Sequence, residues 1–406
     1  MIKRVCLAIV VLILVFLTFM PAKKQNENAV VFWTLQLNTF EPYIRQVIDE
    51  FETQNPDIKI EWIDVPYSEG EKRVLASLLS DNIPDLINIT SDFAITLAGK
   101  NALTVFDEND VKDYSAQIMK TLKKDDKYIA LPFYATSAIT FYNKKLLSDA
   151  GIKRIPETYD ELNDISPDFY KKTQRHAQMP TLCENDTFLK ILNKYGIREY
   201  TAFKSKETEK IYAQYKFLYA NNFLPKESIT QTHREVLEKY GAGQIAFLQA
   251  GSNFLNIIKE NSPQVYSQTD VAPQMKTKDS GYDFSLMTLA IPKKAKNQEA
   301  AKAFAQFLIS RDNQLDFAKL TSILPVNQDT LNDDYFKNSD ENDLIAKARK
   351  ISASQLNNLQ TPIYFKKNQK EIQNAINNST QTILLDKNSI ENELSKTAKL
   401  WAELEN

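Results

Sequence analysis

Short apolar runs alternate with amphipathic segments from residue 30 onward. Residues 30–33 are apolar and aromatic, as in a strand, and apolar side chains recur at helical spacing through residues 40–53. The same alternation predicts a strand at 58–62, a helix at 74–79 and a buried strand at 86–89. Strands joined by helices normally pair in parallel, so this order predicts an α/β fold.

The middle of the chain is predicted to be richer in helices. Two strand-like stretches, residues 128–133 and 139–142, leave no room for a helix between them, so we expect the chain to cross between two lobes there. The other predicted elements are helices at 144–150, 158–162, 184–194, 206–221, 233–240 and 297–309, strands at 245–248 and 285–291, and a helical C-terminal segment from residue 340.

The N-terminal segment, residues 1–22, has the layout of an export signal. Lys3 and Arg4 precede an apolar run over residues 5–19, which is shorter than the roughly 20 residues of a membrane span. We therefore expect export to the periplasm or to the extracellular face of the cytoplasmic membrane. Met20 and Ala22 stand where small residues normally precede cleavage, so an uncleaved N-terminal anchor is the alternative.

Composition limits the remaining possibilities. A chain of 406 residues exceeds one comfortable core, which favours two domains. Fifty basic against 52 acidic residues give a net charge of -2, so no nucleic-acid partner is expected. Cys6 and Cys183 are not expected to form a disulfide. Eight glycines form no phosphate-binding loop, so we expect no cofactor.

Enzymatic motifs are also missing from the sequence. His176 and His233 are the only histidines and neither belongs to an HExxH motif, while no GxSxG elbow occurs. We therefore expect no catalytic residue and no metal site. An exported carbohydrate-active hydrolase, which would need a pair of carboxylates, is the less favoured alternative.

Candidate ligand-binding residues come from loops, because ligands of α/β sheets gather beyond the carboxyl ends of the strands. Several have a structural alternative: Trp33 could pack beneath its loop, Asn38 could bond its own backbone, and Asp92 or Ser252 could cap a helix. The aromatic candidates near residue 283 could equally belong to the core. The candidates from the loops and from these aromatic positions are Trp33, Gln36, Asn38, Tyr67, Ser91, Asp92, Gly251, Ser252, Asn253, Tyr282 and Phe284.

A series of short motifs resembles the family-one extracellular solute-binding proteins of ATP-binding-cassette (ABC) importers, the class that includes maltose and oligosaccharide receptors. The motifs occur in the family's order across nearly the whole chain after the signal. They are VVFWTLQLN, FETQNPDIKIEW, LLSDNIPDLINI, YIALPFYATSAITFYNKKLLSDAGI, PETYDEL, GQIAFLQAG, IPKKAKNQEAAKAFAQFLIS and ILPVN.

The resemblance implies a two-lobed periplasmic-binding-protein fold of the type II kind, with the lobes joined by crossing strands at a hinge. It implies a monomeric receptor that closes over a sugar or sugar-like solute and delivers it to a membrane permease. Tyr134 and Thr136, in the crossing segment, join the candidate site by the same resemblance. A membrane-anchored solute sensor is the alternative function. The implied lobes are residues 29–137 with 292–325, and 141–287 with 330–406.

Overall fold

The computed structural model describes residues 29–405 apart from positions 81, 125, 322, 339, 341, 364 and 366. The predicted export signal or anchor over residues 1–22, and Cys6 within it, therefore lie outside the described residues. Within the described ranges, the helices lack the combination of length and apolar composition that a membrane span requires.

The first half of the described chain contains three strands of one sheet and then a long strand that leaves it. In chain order, the elements are β1 (Ala29–Leu35), α1 (Glu41–Gln54), β2 (Lys59–Val65), α2 (Gly70–Leu78), β3 (Leu86–Thr90), α3 (Ser91–Gly99), α4 (Glu108–Val111), α5 (Ala116–Thr121), β4 (Lys123–Lys124), β5 (Lys127–Tyr128), β6 (Leu131–Asn143), α6 (Lys144–Ala150), α7 (Tyr159–Thr173), α8 (Thr187–Lys194), α9 (Tyr200–Phe203) and α10 (Lys206–Ala220).

The second half adds three strands and a helical C-terminal region. Its elements are α11 (His233–Gly241), β7 (Phe247–Gly251), α12 (Phe254–Asn261), α13 (Pro263–Gln268), β8 (Thr269–Pro273), β9 (Phe284–Ala290), α14 (Gln298–Leu308), α15 (Arg311–Thr321), α16 (Gln328–Leu331), α17 (Asp334–Lys337), α18 (Leu344–Gln355), α19 (Gln369–Leu384) and α20 (Ile390–Glu405), with short 3₁₀ turns at Asn38–Phe40, Tyr67–Glu69 and Lys226–Ile229.

The predicted parallel pairing at the start of the chain is confirmed. β1 pairs with both β2 and β3 in parallel, and helices α1 and α2 make the connections. Helix α1 buries Ile44, Val47, Ile48 and Phe51, the apolar positions whose helical spacing predicted it. We refer to β1, β2, β3, β9 and the first part of β6 as the first sheet.

The two strands predicted over residues 128–133 and 139–142 lie mostly in one strand, β6, which begins at Leu131, while Tyr128 belongs to the short strand β5. The first part of β6 pairs antiparallel with β9, where Ser137 lies opposite Phe284. Its second part pairs with β7 and β8, which with it form the second sheet. Because each part satisfies its backbone hydrogen bonds in a different sheet, the strand needs no break where it crosses.

Several predicted element ends differ from the structure. Residues 245 and 246 bond to the segment after α7, through Ala246 N to His176 O at 3.1 Å, so β7 begins only at Phe247 rather than at 245. Helix α7 continues to Thr173, well beyond the predicted end at 162. The C-terminal region is not continuously helical, and β8 was not predicted. The five residues of β8, TDVAP, contain too few apolar positions to predict a strand.

Two regions of hydrophobic core flank the crossing strands. The core around the first sheet is centred on β1 and α14, where the rings of Phe32 and Phe304 meet edge to face at 5.4 Å. Around the second sheet, separate clusters surround Trp401, Phe141 and Leu162. The first core also contains Leu356, a residue from the segment 330–406 that was assigned to the other lobe.

Candidate ligand-binding cleft

A cavity of about 480 Å³ lies between the crossing strands and the helices of the second sheet. Residues of β6, β7 and the start of β9 form one wall, and α7, α8, α11 and the loop before α8 form the other. This volume falls within the range of small-molecule sites. A shallower depression of about 490 Å³ covers the exposed, charged face of α1.

Four of the residues predicted from sequence line this cavity: Thr136, Gly251, Asn253 and Phe284. Thr136 belongs to the crossing strand β6, Phe284 begins its neighbour β9, and Gly251 ends β7. A Cβ atom at Gly251 would stand 2.5 Å from Asn253 Oδ1, so a side chain there would displace the carboxamide of Asn253. The structure therefore brings these four positions together at one wall.

Gln36 and Asn38 lie in the loop after β1, outside the cavity lining. Both are exposed, and the carboxylate of Asp64 at the end of β2 holds their loop. Asp64 Oδ1 accepts hydrogen bonds from Thr34 Oγ1 at 2.6 Å and Leu37 N at 2.9 Å, while Oδ2 accepts from Asn38 N at 3.1 Å. The loop is thus rigidly placed beyond the carboxyl ends of β1 and β2.

Trp33 and Tyr134 are half-buried against the first core. The indole Nε1 of Trp33 is buried without a hydrogen-bond partner. The ring of Tyr134 packs against Phe133 and Phe317, at centroid distances of 5.0 Å and 5.8 Å. Burial raises the pKa of Tyr134, and the neighbouring Tyr67 raises it further, so the two phenols lie close together.

Ser91 and Asp92 begin α3, and Thr90 caps this helix through a hydrogen bond from Phe93 N to its Oγ1 at 3.2 Å. The alternative role of Asp92 as the helix cap is therefore wrong. Burial raises the pKa of Asp92, and the carboxylate of Asp186 raises it further.

The remaining candidates lie at the margins. Tyr67 is 55% exposed, in the 3₁₀ turn after β2. Ser252 provides no side-chain cap to α12, because only its carbonyl oxygen accepts, from Leu255 N at 3.1 Å. Tyr282 bonds through its backbone N–H to Asn358 O at 2.8 Å, and it does not belong to the lining of the cavity.

Charged residues that the sequence did not single out contribute to the cavity. Lys190 Nζ lies 3.1 Å from Asp186 Oδ1, and Lys194 Nζ lies 2.8 Å from Asp283 Oδ1. Burial lowers the pKa of Lys190, but the carboxylates of Asp186, Asp283 and Asp92 outweigh this effect and raise it. Burial lowers the pKa of Lys194, although Asp283 opposes the shift.

Gln249 presents a buried polar atom that has no hydrogen-bond partner among the described residues, its carboxamide oxygen Oε1. The hydroxyl of Tyr215, which is 1% exposed, lies beside the side chain of Asn163, which opposes the rise in the pKa of the phenol that burial causes. Buried polar groups are normally satisfied, because leaving one unpaired costs about 1–3 kcal/mol. The oxygen of Gln249 is therefore a candidate for a bond from a bound solute.

Glu184 and His233 line the same cavity without forming a catalytic pair. Glu184 Oε2 accepts a hydrogen bond from His233 N at 2.8 Å, and burial lowers the pKa of the imidazole. Among the described residues, no cluster of three or more His, Cys, Asp or Glu side chains is arranged to hold a metal ion.

These residues escaped sequence analysis for a physical reason. Lys190 and Lys194 are spaced by one helical turn on α8, a pattern that usually indicates a solvated helix face. Asp283 lies between the two candidate aromatic residues Tyr282 and Phe284, and Gln249 directly follows a predicted strand. Their places in the sequence could therefore have marked these two residues as ligand-binding candidates. The pairing of Lys194 with Asp283 depends on how the end of α8 packs against the segment before β9, where Thr277 Oγ1 donates to Lys194 O at 2.6 Å.

The profile of the bacterial extracellular solute-binding proteins matches residues 38–315 of this chain. The chain belongs to this family. Family members are binding proteins of the extracellular space. The chain is 26% identical over 139 residues to the diacetylchitobiose binding protein DasA of Streptomyces coelicolor. The matched region covers 33% of this chain and 32% of that protein.

Solved structures of binding proteins share the fold of this family member. One, described as an oligosaccharide periplasmic-binding protein of Synechococcus sp. MITs9220, superposes with a TM-score of 0.84 at 26% identity, over 92% of this chain and 98% of that chain. The maltose-bound MalE3 of T. maritima superposes with a TM-score of 0.73 at 18% identity, over 92% and 99%. The predicted two-lobed periplasmic-binding-protein fold is thereby confirmed.

Proposed function

We propose that this solute-binding protein is an exported receptor that closes over a sugar or sugar-like solute and delivers it to the permease of an ABC importer. The observation that carries the proposal is the cavity beside β6, the strand that runs from the first sheet into the second. Thr136 of β6 and Phe284 of β9 line it together with Gly251 of β7, so a solute there would contact strands of both sheets.

Closure follows from this arrangement. A solute that contacts both sides completes its contacts only when they approach, so its binding shifts the hinge equilibrium toward the closed form. The two lobes are proposed to comprise residues 29–137 with 292–325 and residues 141–287 with 330–406. The closed form is the shape that the permease would recognise.

The chemistry of the cleft supports a sugar. Phe284 and Phe254 offer apolar ring faces, while carboxylates and carboxamides offer acceptors for ring hydroxyls. The names of DasA and of the maltose-bound MalE3 describe carbohydrate ligands, which supports the same class here. Thirteen residues form the proposed solute-binding set: Trp33, Gln36, Asn38, Tyr67, Ser91, Asp92, Tyr134, Thr136, Gly251, Ser252, Asn253, Tyr282 and Phe284.

A receptor fits the cleft better than a hydrolase does. Each carboxylate that lines it bonds to the protein through at least one oxygen: Glu184 to the backbone of His233, Asp186 to Lys190, and Asp283 to Lys194. Glycoside hydrolysis would need a general acid with a free proton and an unpaired partner carboxylate. These pairings favour a receptor that is not an enzyme. We also propose, from the family resemblance and the small net charge, that it acts as a monomer and binds no nucleic acid.

The test combines ligand screening with a measurement of shape. Purified protein is screened against mono- and oligosaccharides by thermal shift, and hits are followed by calorimetry and small-angle scattering. We expect a saccharide that raises Tm and reduces the radius of gyration. Asn253→Ala should weaken its binding, whereas Asn392→Ala, on the exposed face of α20, should not. Stabilisation without contraction would contradict the closing mechanism, and the absence of any hit would contradict the sugar assignment.

A further inference from the structure

Asp283 lines the cavity directly before β9, and protein side chains hold its carboxylate in place. Oδ1 accepts from Lys194 Nζ at 2.8 Å, and Oδ2 accepts from Gln274 Nε2 at 2.8 Å. Gln274 also accepts from Asp283 N at 2.7 Å, which holds the backbone in place. A carboxylate offers about four acceptor positions, so roughly half remain free. Since the side chain keeps 19% exposure and lines the cavity, these positions are open to a solute.

Lys194 positions Asp283 but is itself unavailable to a solute. Its side chain is 0% exposed, and Nζ also donates to Gly281 O at 2.7 Å. The buried ammonium therefore orients the carboxylate without contributing a cation to the cleft.

The rest of the cleft is also rich in acceptors. Of the described residues that line the cavity, Glu184, Asp186 and Asp283 carry carboxylates and Lys190 carries the ammonium group. Lys190 is already paired with Asp186 at 3.1 Å.

An unpaired atom in the inner wall agrees with this excess of acceptors. The carboxamide oxygen Oε1 of Gln249 is buried, makes no hydrogen bond to the described residues and can only accept one. Because Gln249 lines the cavity, this oxygen is an independent sign of a hydrogen-bond donor on the bound solute.

We infer that the cleft selects solutes that donate hydrogen bonds and carry no negative charge, namely neutral saccharides or amino sugars rather than uronates or sugar phosphates. This inference rests on the proposed function and names the substrate class of the same site. Asp283 is the principal selecting residue, and Lys194 is its positioning residue. A solute carboxylate or phosphate would meet the free acceptor positions of Asp283 and the carboxylate of Glu184, while the ammonium of Lys190 is already paired with Asp186, so its negative charge would lack a partner in the cleft.

The experiment uses saccharides matched in size and different in charge. Glucose, glucosamine and glucuronate form one set, galactose, galactosamine and galacturonate a second, and cellobiose, its diamino analogue and cellobiouronate a third. Kd values are measured by calorimetry at pH 7, at low and at physiological salt. We expect at least one neutral or amino member to bind, and the matched uronate to bind at least about 10-fold more weakly. Equal or tighter binding of the uronate overturns the inference and leaves the proposed function intact. If no saccharide of these sets or of the wider screen binds or contracts the protein, the proposed function fails, and the inference fails with it.

Variants distinguish selection by charge from a structural role. Asp283→Asn should narrow the ratio of the uronate Kd to the neutral Kd by about threefold or more, whereas a structural role would weaken both solutes equally. Asp186→Asn should also lower the ratio of the uronate Kd to the neutral Kd. Because Asp186 is outside the buried pair, this variant keeps the test available if Asp283→Asn does not fold. Asp168→Asn removes the same charge from the exposed face of α7 and should leave the ratio unchanged. An unchanged ratio in both cleft variants overturns the inference.

Discussion

The carboxamide Nε2 of Gln355 lies 2.6 Å from Ser137 Oγ, at the residue where β6 passes from the first sheet to the second. The same nitrogen donates to Ala138 O at 2.8 Å, and Oε1 accepts from Gln274 N at 2.7 Å. Gln355 ends α18, so one buried side chain ties the C-terminal helices to the crossing strand and to the end of β8. The hinge is therefore held by polar contacts as well as by strands.

Gln355→Ala should lower the free energy of unfolding by about 1–3 kcal/mol, because it leaves the buried backbone N–H of Gln274 without its partner. Urea denaturation measures this loss. Gln46→Ala, on the exposed face of α1, serves as the control and should change stability by no more than about 0.5 kcal/mol. Equal effects of the two variants would show that the hinge contact contributes little.

Lys194→Met should destabilise the protein by about 3 kcal/mol or more, since removing one partner of a buried ion pair leaves the other charge uncompensated. The double variant Lys194→Met with Asp283→Asn should lose less than the sum of the two single variants. The control is Lys171→Met, whose exposed pair with Asp168 should contribute under about 1 kcal/mol. Strictly additive losses would contradict the direct pairing.

The pKa of Asp92 is raised by burial and then by Asp186 and Glu71, against the opposing effects of Lys190 and a hydrogen bond from Ser91. The folded state therefore binds the proton more tightly than the unfolded state does. As the pH rises above the usual aspartate range, Asp92 consequently lowers the stability of the folded protein. Asp92→Asn should raise Tm by about 1–3 °C at pH 7 and have little effect near pH 3.

Thermal melts at the two pH values test this sign, with Asp113→Asn on the exposed surface as the control. A lower Tm of Asp92→Asn at pH 7 would mean that attraction to Lys190 outweighs burial and the repulsion from Asp186.

Gly281→Ala should destabilise the hinge region, because a Cβ atom there would overlap the backbone of Gln360 and stand 2.6 Å from Leu359 O. Overpacking of this kind costs about 1–3 kcal/mol. Gly99→Ala provides the matched control, since nothing lies within 4 Å of its Cβ position. Chemical denaturation of the two variants should separate them, and a stable Gly281→Ala protein would show that the 356–360 segment moves easily.

Cys183 should react slowly with thiol reagents in the folded protein. Burial raises the pKa of its thiol to about 12, so the thiolate is scarce at pH 8, and the reaction should be at least about 100-fold slower than that of a free cysteine. Measuring the rate in a Cys6→Ser background isolates this residue, and denaturant should restore the rate. Rapid labelling of the folded protein would indicate that the packing around Asn377 opens readily.

Local patterns in the sequence were sufficient to predict the strands and helices at the start of the first sheet. Apolar periodicity defined α1 through residues such as Ile44 and Phe51, and the spacing of strands and helices predicted the parallel pairing of β1, β2 and β3. The helix follows from the spacing of neighbouring apolar residues, and the parallel pairing follows from the alternation of strands and helices, so both can be read along the chain. Short motifs in their order were enough to indicate the family and its two-lobed fold.

The inner wall of the cleft depended on contacts that no local pattern contains. Lys194 and Asp283 are 89 positions apart, and each by itself has the character of a surface charge. Only the packing of the end of α8 against the segment before β9 brings the two charges together and fixes the carboxylate of Asp283 at the cavity. The sequence by itself determined the elements of the first sheet and the family, whereas the tertiary structure decided which polar groups face the solute, because burial and pairing are properties of residues brought together from distant parts of the chain.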